Sequence, residues 1–290
     1  KKHTIEILYS KIERDVDNLL DRCRPLDFTK EEEIYGQEIL AKFGLGKNDK
    51  FVCLAVRDSA YQLKKISSPQ QDWSYHDYRN YNIDDFILAS EELTKKGYFV
   101  FRMGVVVNKP LVTSNKKIID YANSNLRSDF MDIYLGAKCS FCVSTGLGFD
   151  DIPHIFNRPV ALLSVPVGDL RAFSEKFLLL TKHHFLKREN RKLSLSEIFS
   201  HGVGLAYETK IYKEKGIELI DCSPHEISNF VLEMEEKVKS EKSLDKHDEY
   251  LKKKFQNLFE ANIKKYGSQR DKFAKNALLH GKIRSSFSIQ

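Results

Sequence analysis

The sequence predicts an α/β fold: a doubly wound parallel sheet with helical segments before and after it. Short apolar runs rich in β-branched and aromatic residues alternate with amphipathic segments through the middle of the chain, which is the pattern of successive βαβ units. The runs are apolar at consecutive positions, as in strands covered on both faces. We therefore predict a helical lead-in over 1–50, a sheet domain over 51–222 and C-terminal helices over 223–290 that pack back on the sheet.

Two helices are predicted in the lead-in. Across residues 5–23 apolar side chains recur at three- and four-residue steps, which gives one buried helical stripe. Pro25 ends that helix. The second helix has both ends written in its sequence, because Thr29 and Glu32 have the spacing of a capping box and Gly44 suits a left-handed cap.

The sheet begins with a continuous apolar run at 51–56. Helices that lead into strands then repeat along the chain: helix 84–96 into strand 98–103, helix 129–138 into strand 140–144, and helix 150–156 into strand 160–164. After Pro166, helical patterns cover 194–200, 224–239 and 246–266, and the aliphatic stretch 217–220 is expected to add an edge strand.

The composition is that of an ordinary globular chain, with 41% hydrophobic and 30% charged residues among 290. The net charge is +6, and its densest run, 252–254, is interpreted as a solvated helix face. Contact with phosphates or with an anionic membrane surface is the alternative. No recognised nucleic-acid-binding motif is present, so we expect no nucleic-acid partner.

We expect a cytoplasmic protein, with peripheral contact at the inner face of the membrane left open. No apolar run approaches the roughly 20 residues that cross a bilayer, and no signal peptide opens the chain. Five cysteines are an odd number, which favours reduced thiols. Cys139 and Cys142 have redox or zinc spacing, but they adjoin a predicted strand and are interpreted as core residues.

Polar side chains follow the first predicted strand, at the sheet edge where open parallel sheets bind ligands. The run after that strand contains Arg57, Asp58, Ser59 and Tyr61. An arginine can hold a diphosphate through two hydrogen bonds, and a nearby aspartate can orient it or act as a base. A salt bridge at the strand end is the structural alternative.

Two more arginines belong to the same predicted edge. The loop that follows contains Arg79 and Asn80. The strand at 98–103 ends in Arg102 and is followed by Gly104, which permits close approach of the backbone to a ligand. Each of these signals is weak when taken alone.

The predicted helix 129–138 begins among charged and polar residues. Arg127 and Ser128 precede it, and Asp129 and Asp132 lie in its first turns. Each aspartate is interpreted either as a cap or dipole partner of the helix, or as a contact to a ligand.

A turn at 144–148, which reads STGLG, separates a strand from the next helix. Such a turn directs backbone N–H groups and hydroxyls at an anion. It is neither a P-loop nor a GxGxxG fingerprint. The turn and the recurrence of Arg57, Arg102 and Arg127 at one edge together predict a phosphate site.

The sequence contains no metal cluster with recognised spacing. His183 and His184 are adjacent, and an HExxH motif is absent. We interpret these histidines as surface or core residues and expect neither a metal nor another cofactor. A Gly-x-Ser-x-Gly nucleophile elbow is also absent.

The same residues resemble a family of glycosyltransferases encoded among bacterial surface-polysaccharide genes. The similarity runs from about residue 28 to the C-terminus. It is carried by Val56-Arg57-Asp58-Ser59-Ala60-Tyr61, Asp77-Tyr78-Arg79-Asn80, Gly97-Tyr98 through Arg102-Met103-Gly104, Asp120-Tyr121-Ala122, Arg127-Ser128-Asp129-Phe130-Met131-Asp132 and Ser144-Thr145-Gly146.

The resemblance implies the Rossmann-like donor half of a GT-B glycosyltransferase. Such an enzyme moves a sugar from a nucleoside-diphosphate sugar to a polysaccharide or lipid-linked glycan, generally without a bound metal. Residues 1–50 would then be the remnant of an acceptor domain. Arg57 looks like the diphosphate-binding arginine of GDP-fucose-dependent transferases. The diphosphate is expected on Arg57, Arg102, Arg127, Ser144, Thr145 and Gly146, the catalytic base is Asp58, and ribose or sugar hydroxyls contact Asp129 or Asp132.

Two alternatives stay open. A fold does not determine its reaction, so a sugar-nucleotide epimerase or hydrolase is the second enzymatic interpretation. The third is a noncatalytic module that binds a nucleotide or a carbohydrate within a larger assembly.

Overall fold

A computed structural model describes residues 26–66, 72–163 and 176–240 except 205 and 207, with 250, 253–254, 257–258, 261 and 286–287. The helix predicted over 5–23 lies outside the described residues, and so does most of the one predicted over 246–266. The predicted division at residues 50 and 222 stays a prediction.

A parallel sheet forms the centre of the described chain. Its strands are β1 (Lys50–Ala55), β2 (Tyr98–Arg102), β3 (Ile118–Ile119), β4 (Cys142–Ser144), β5 (Val160–Leu163) and β6 (Phe177–Leu180). They lie in the order β6-β5-β4-β1-β2-β3, and Ser286–Phe287 pairs with β6 as a further short strand. All of these pairings are parallel. The predicted α/β fold with a parallel sheet is confirmed, whereas β3 and β6 were not predicted.

The helices lie mainly between these strands and after them. They are α1 (Lys30–Lys42), α2 (Ile87–Lys95), α3 (Asp129–Lys138), α4 (Asp151–Ile155), α5 (Leu195–Ser200), α6 (Thr209–Glu214) and α7 (Pro224–Ser240). Short 3₁₀ turns cover Ser74–Arg79, Ile83–Phe86, Tyr121–Asn123, Gly148–Asp150 and Lys187–Glu189, and a π-helical turn covers Gln62–Ile66. None of the described helices is long and apolar enough to span a membrane.

Helices cover both faces of the sheet. Because successive side chains of a strand point to opposite faces, β1 contributes to two separate cores. Leu54 packs in one core with Leu93 of α2 and Phe230 of α7, and these two helices also contact each other. Cys53 packs in the other core, which contains residues of α1 and α3. Burial on both faces explains the continuous apolar runs of the strands.

The α1 helix begins and ends where its capping signals in the sequence predict. The Thr29 hydroxyl accepts a hydrogen bond from the Glu32 N–H at 3.2 Å, and the Glu32 carboxylate accepts one from the Thr29 N–H at 2.8 Å. Gly44 has a φ of +88° beyond the other end of the helix, a conformation that a residue without a Cβ adopts at little cost. The capping box and the glycine cap are both confirmed.

A second, antiparallel sheet corrects one prediction. Its strands are β7 (His183–Leu186), β8 (Arg191–Lys192) and β9 (Ile217–Ile220), in the order β8-β7-β9. The expectation that 217–220 adds an edge strand to the parallel sheet is therefore wrong. β7 buries alternate residues, and β9 pairs with it across the full length of both strands. Such alternation is typical of an antiparallel sheet with one exposed face.

The described cysteines are core residues, as predicted. Cys53, Cys139, Cys142 and Cys222 are buried and form no disulfide. Cys139 follows the last residue of α3, and its side chain shares a core with that of Cys142 on β4. Burial raises the pKa of the Cys142 thiol well above its usual value.

Removal of the Phe230 ring tests the packing of α7. Phe230 is fully buried, so we expect Phe230→Ala to lower the free energy of unfolding by about 3–5 kcal/mol through lost burial and a cavity. Urea denaturation measures this change. Ile34→Ala is the control, because Ile34 is 61% exposed and its truncation should change stability by less than about 0.5 kcal/mol. Equal effects of the two substitutions would contradict the packing described.

Candidate ligand-binding site

A cavity of about 490 Å³ lies at the carboxyl ends of β1, β2 and β4. β1 and β4 are neighbours, but the chain proceeds from β1 toward β3 and from β4 toward β6. Open parallel α/β sheets bind ligands at such a switch point. The wall of the cavity consists of Val56, Arg57, Asp58, Tyr61, Gln62, Met103, Gly104, Val105, Val106, Val107, Asp132, Leu147, Gly148, Phe149 and Ile152.

Hydrogen bonds join the loop after β1 to the turn after β4. The Arg57 N–H donates to the Thr145 Oγ1 at 2.7 Å, and the Thr145 N–H donates to the Ala55 carbonyl at 3.1 Å. The Ser144 hydroxyl accepts the Gly146 N–H at 3.1 Å. Ser144 and Thr145 are buried, and neither lies in the cavity wall. Their hydroxyls therefore fix the positions of the two loops.

Arg79 holds the same turn from the other side. Its Nη2 donates to the Gly146 carbonyl, and the φ of Gly146 is +81°. A Cβ at this glycine would lie 3.5 Å from the Arg79 Nη2, with a backbone conformation that disfavours any side chain. A hydrogen bond from Arg79 thus holds the turn that the sequence predicts to bind an anion.

Arg57 is the arginine that reaches the cavity. Its Nε and Nη2 are buried and have no hydrogen-bond partner. Burial, followed by the positive charge of Arg79, lowers the pKa of the Arg57 guanidinium. Burial and the positive charges of both arginines also lower the pKa of His76. Two buried guanidinium nitrogens without hydrogen-bond partners are costly, and an anionic ligand would satisfy them.

Asp58 lies in the cavity wall, but its carboxylate already has partners. Its Oδ1 accepts the Ala60 N–H at 2.9 Å, and its Oδ2 accepts the Asn108 N–H at 2.9 Å. Ser59 strengthens the same connection, because its hydroxyl accepts a hydrogen bond from the Asn108 side chain at 3.2 Å. Tyr61 is 45% exposed at the edge of the cavity. Asp58 and Ser59 therefore tie the loop after β1 to the loop after β2.

Arg102 is buried among acids and outside the cavity wall. It is 1% exposed, and its Nη1 donates to the Asp120 Oδ1 at 3.0 Å and to the Lys109 carbonyl at 3.3 Å. The Asp58 Oδ2 lies 4.0 Å from its Nη2. Arg102 thus connects the ends of β1, β2 and β3.

At the start of α3, one arginine forms salt bridges with two aspartates, and one carboxylate oxygen has no hydrogen-bond partner among the described residues. Ser128 is the N-cap and accepts the Met131 N–H at 3.2 Å, so neither aspartate caps the helix. Arg127 Nη2 donates to Asp129 Oδ1 at 2.8 Å and to Asp132 Oδ2 at 2.6 Å. The Asp132 Oδ1 is buried without a partner. Burial raises the pKa of Asp132, although Arg127 and the nearby Tyr121 hydroxyl oppose the shift.

Of two further predicted site residues, Gly104 lies in the cavity wall and Asn80 does not. Gly104 belongs to the cavity wall, and its φ of +153° and a Cβ position only 2.7 Å from the Val107 Cγ1 explain the need for glycine there. Asn80 lies outside the wall. Its carbonyl accepts a hydrogen bond from the Lys182 Nζ at 2.6 Å, and its side chain donates to Asp77.

The fold thus brings part of the predicted set to the cavity. The wall contains Arg57, Asp58, Tyr61, Gly104 and Asp132, whereas it does not include Ser59, Arg79, Asn80, Arg102, Arg127, Ser128, Asp129, Ser144, Thr145 and Gly146. Sequence reasoning missed the apolar wall at 105–107 and the side chains of Leu147 and Phe149. Their composition is that of core residues, so only their position after strand ends could have indicated a site.

Comparisons with known proteins do not assign the chain to a family: no family model, no curated protein and no solved structure matches it. Indications of its function therefore come from the side chains of the cavity and from their geometry.

Removal of the Arg102 guanidinium tests its structural role. We expect Arg102→Ala to lower the free energy of unfolding by about 3–5 kcal/mol, the range for breaking a buried ion pair from one side. Arg188→Ala is the control, because Arg188 is 72% exposed in its pair with Glu189 and such pairs contribute about 0–1 kcal/mol. Chemical denaturation of both variants gives the comparison. Unchanged stability in Arg102→Ala would contradict this structural role and would leave the Arg102 guanidinium as a candidate contact to a ligand.

Proposed function

We propose that the chain binds a nucleoside-diphosphate sugar in the switch-point cavity and transfers the sugar to a surface-polysaccharide or lipid-linked glycan acceptor. The observation that carries this proposal is the Arg57 guanidinium, which lies in the cavity wall with two nitrogens unpartnered. Guanidinium groups bind phosphate oxygens through paired hydrogen bonds. The strand order 3-2-1-4-5-6 is that of Rossmann-type nucleotide-binding sheets and supports a donor domain of the GT-B type.

The size and the lining of the cavity support a ligand of this class. Small-molecule sites usually have volumes of about 300–1,000 Å³ and combine apolar walls with a few polar groups. The cavity of about 490 Å³ has apolar side chains at 105–107, Leu147 and Phe149, and polar groups at Arg57 and Asp132. The apolar wall suits the faces of a base and a sugar, while Arg57 suits the diphosphate.

The contacts of the two aspartates favour Asp132 over Asp58 as the catalytic base. Each oxygen of Asp58 accepts a hydrogen bond from a backbone N–H. Asp58 therefore stabilises the loops after β1 and β2. Asp132 has one oxygen without a partner and a pKa raised by burial, and a base works best when its pKa lies nearer the working pH.

In a direct displacement, an acceptor hydroxyl oxygen bonds to the anomeric carbon and its proton passes to Asp132. The bond from that carbon to the diphosphate oxygen breaks with its electron pair. Arg57, supported by the nearby charge of Arg79, stabilises the departing diphosphate. The acceptor would approach from the open side of the cavity, and a membrane-bound acceptor would require contact between the protein and the membrane surface.

A thermal-shift screen of nucleoside diphosphates and their sugars tests donor binding. A ligand present at about 100 times its dissociation constant adds roughly 2.7 kcal/mol to stability. Donor turnover, measured with and without glycan acceptors, then separates the alternatives. A transferase consumes the donor much faster with an acceptor, a hydrolase or epimerase consumes or isomerises it without one, and a binding module does neither. No stabilisation across the panel would contradict the proposal.

The substitution of Arg57 gives the sharpest test of the site. We expect Arg57→Ala to weaken donor binding by roughly 1.5–3 kcal/mol, the range for hydrogen bonds to charged groups, or about 10- to 150-fold. Arg57→Lys should restore part of the affinity, because an ammonium lacks the planar fork. Calorimetry measures both variants, with Arg188→Ala as the control. A lower melting temperature with parental affinity would show that Arg57 has a structural role only.

A further inference from the structure

Three side chains with metal-binding atoms meet at the small sheet, apart from the cavity wall. They are His183 at the start of β7, Cys222 just after β9, and Glu226 in the first turn of α7. One potential ligand atom from each lies within 4.8 Å of the other two. An imidazole nitrogen, a thiol sulfur and a carboxylate oxygen are the ligand types of zinc sites.

The fold fixes the orientation of two of these side chains. The Glu226 Oε2 accepts hydrogen bonds from the Ser223 N–H at 2.8 Å and from its hydroxyl at 2.9 Å. The other carboxylate oxygen, Oε1, therefore faces His183 Nε2 at 2.8 Å. His183 is positioned by its pairing with Ile220 across β7 and β9. The pairing and the helix cap hold the imidazole and the carboxylate together before any ion binds, as outer partners commonly do at metal sites.

Cys222 supplies the inner side of the cluster. It is 2% exposed, and its Sγ lies 3.4 Å from the Thr181 carbonyl oxygen. His183 and Glu226 have side chains exposed by 24% and 35%, so an ion can reach the cluster from their side. The buried thiol also lies outside the cavity wall, which disfavours a nucleophilic role.

Neighbouring charges leave the cluster open to a cation. The ammonium of Lys182 is already paired with Asp221 at 2.6 Å. A divalent cation would bind Cys222 as the thiolate, which it stabilises directly.

We propose that His183, Cys222 and Glu226 form a Zn²⁺ site, with water as the fourth ligand of a tetrahedral set. The ion bonds to the imidazole nitrogen, the sulfur and the Glu226 Oε1. The thiol proton, and any proton shared between His183 and Glu226, leaves to solvent. Since the ligands come from β7, from the segment after β9 and from the first turn of α7, the ion would link the small sheet to that helix. No spacing in the sequence indicates this site, because positions 183, 222 and 226 meet only after folding.

Metal titration of the full chain tests this site. After chelator treatment under reducing conditions, Zn²⁺ binding is measured by calorimetry, and Co²⁺ binding by the near-ultraviolet absorption of a cobalt–thiolate bond. We expect one ion per chain and a thiolate band. His183→Ala, Cys222→Ser and Glu226→Gln should each lower the Zn²⁺ affinity by at least about tenfold. The band should vanish in Cys222→Ser, and Zn²⁺ should raise the melting temperature of the parent alone.

Two controls make the outcome decisive. Glu226→Gln keeps a side chain that can still complete a helix cap, so its loss of affinity does not reflect misfolding. His201→Ala removes an imidazole bonded to the Glu197 carbonyl, outside the cluster, and should bind Zn²⁺ like the parent. The proposal is overturned if the parent binds no Zn²⁺ or if Glu226→Gln binds it with parental affinity. A cobalt–thiolate band that survives in Cys222→Ser would also overturn it, since the ion would then lie on other cysteines.

Discussion

The parallel pairing of β1 with β4 is the constraint on which the site depends. The pairing sets Ala55 beside Ser144, so the residues that follow both strands emerge at one point of the sheet edge. The hydrogen bond from the Arg57 N–H to Thr145 then fixes the first residues of the two loops. Residues that follow β1, β2 and β4 line the cavity beside this junction, and Gly104 after β2 is one of them.

Electrostatics divides the arginines at this edge into two groups. Arg102 donates to Asp120, which follows β3, and Arg127 donates to Asp129 and Asp132 of α3. These pairs compensate the charge of both arginines and stabilise the framework. Arg57 has no salt bridge within the described part of the chain, and two of its nitrogens are buried without a partner. Burying hydrogen-bond donors without partners opposes folding, and such strain is common at functional sites. A diphosphate would supply the missing acceptors.

The sequence predicted the elements whose signals are local. α3 matches its predicted range of 129–138, and the capping box at Thr29 forms as expected. The pairing of strands that are distant in sequence could not be predicted from local patterns. β6 and β7 are short and lie after Pro166, where helical patterns dominate, so only their contacts with β5 and β9 identify them as strands. The two-residue strand β3 has too few positions for any period.

The site was predictable in position but not in the partners of its residues. The rule that ligands lie at strand ends placed Arg57, Asp58 and Gly104 near the cavity. The acceptor of Arg102 is Asp120, directly after β3, and a donor to Asp58 is Asn108, in the loop after β2. Neither residue lies in a stretch with a periodic pattern. Because those partners decide which charges remain free, the sequence alone could not distinguish Arg57 from Arg102, or Asp132 from Asp58.

A crystal structure of the chain with the nucleoside diphosphate that stabilises it most would test the central claim most directly. The account predicts diphosphate density at the junction of β1 and β4, with phosphate oxygens about 2.7–2.9 Å from the Arg57 guanidinium nitrogens. It also predicts that Arg102 keeps its bond to Asp120. A diphosphate bound elsewhere, or bound in this cavity without contact to Arg57, would contradict the account.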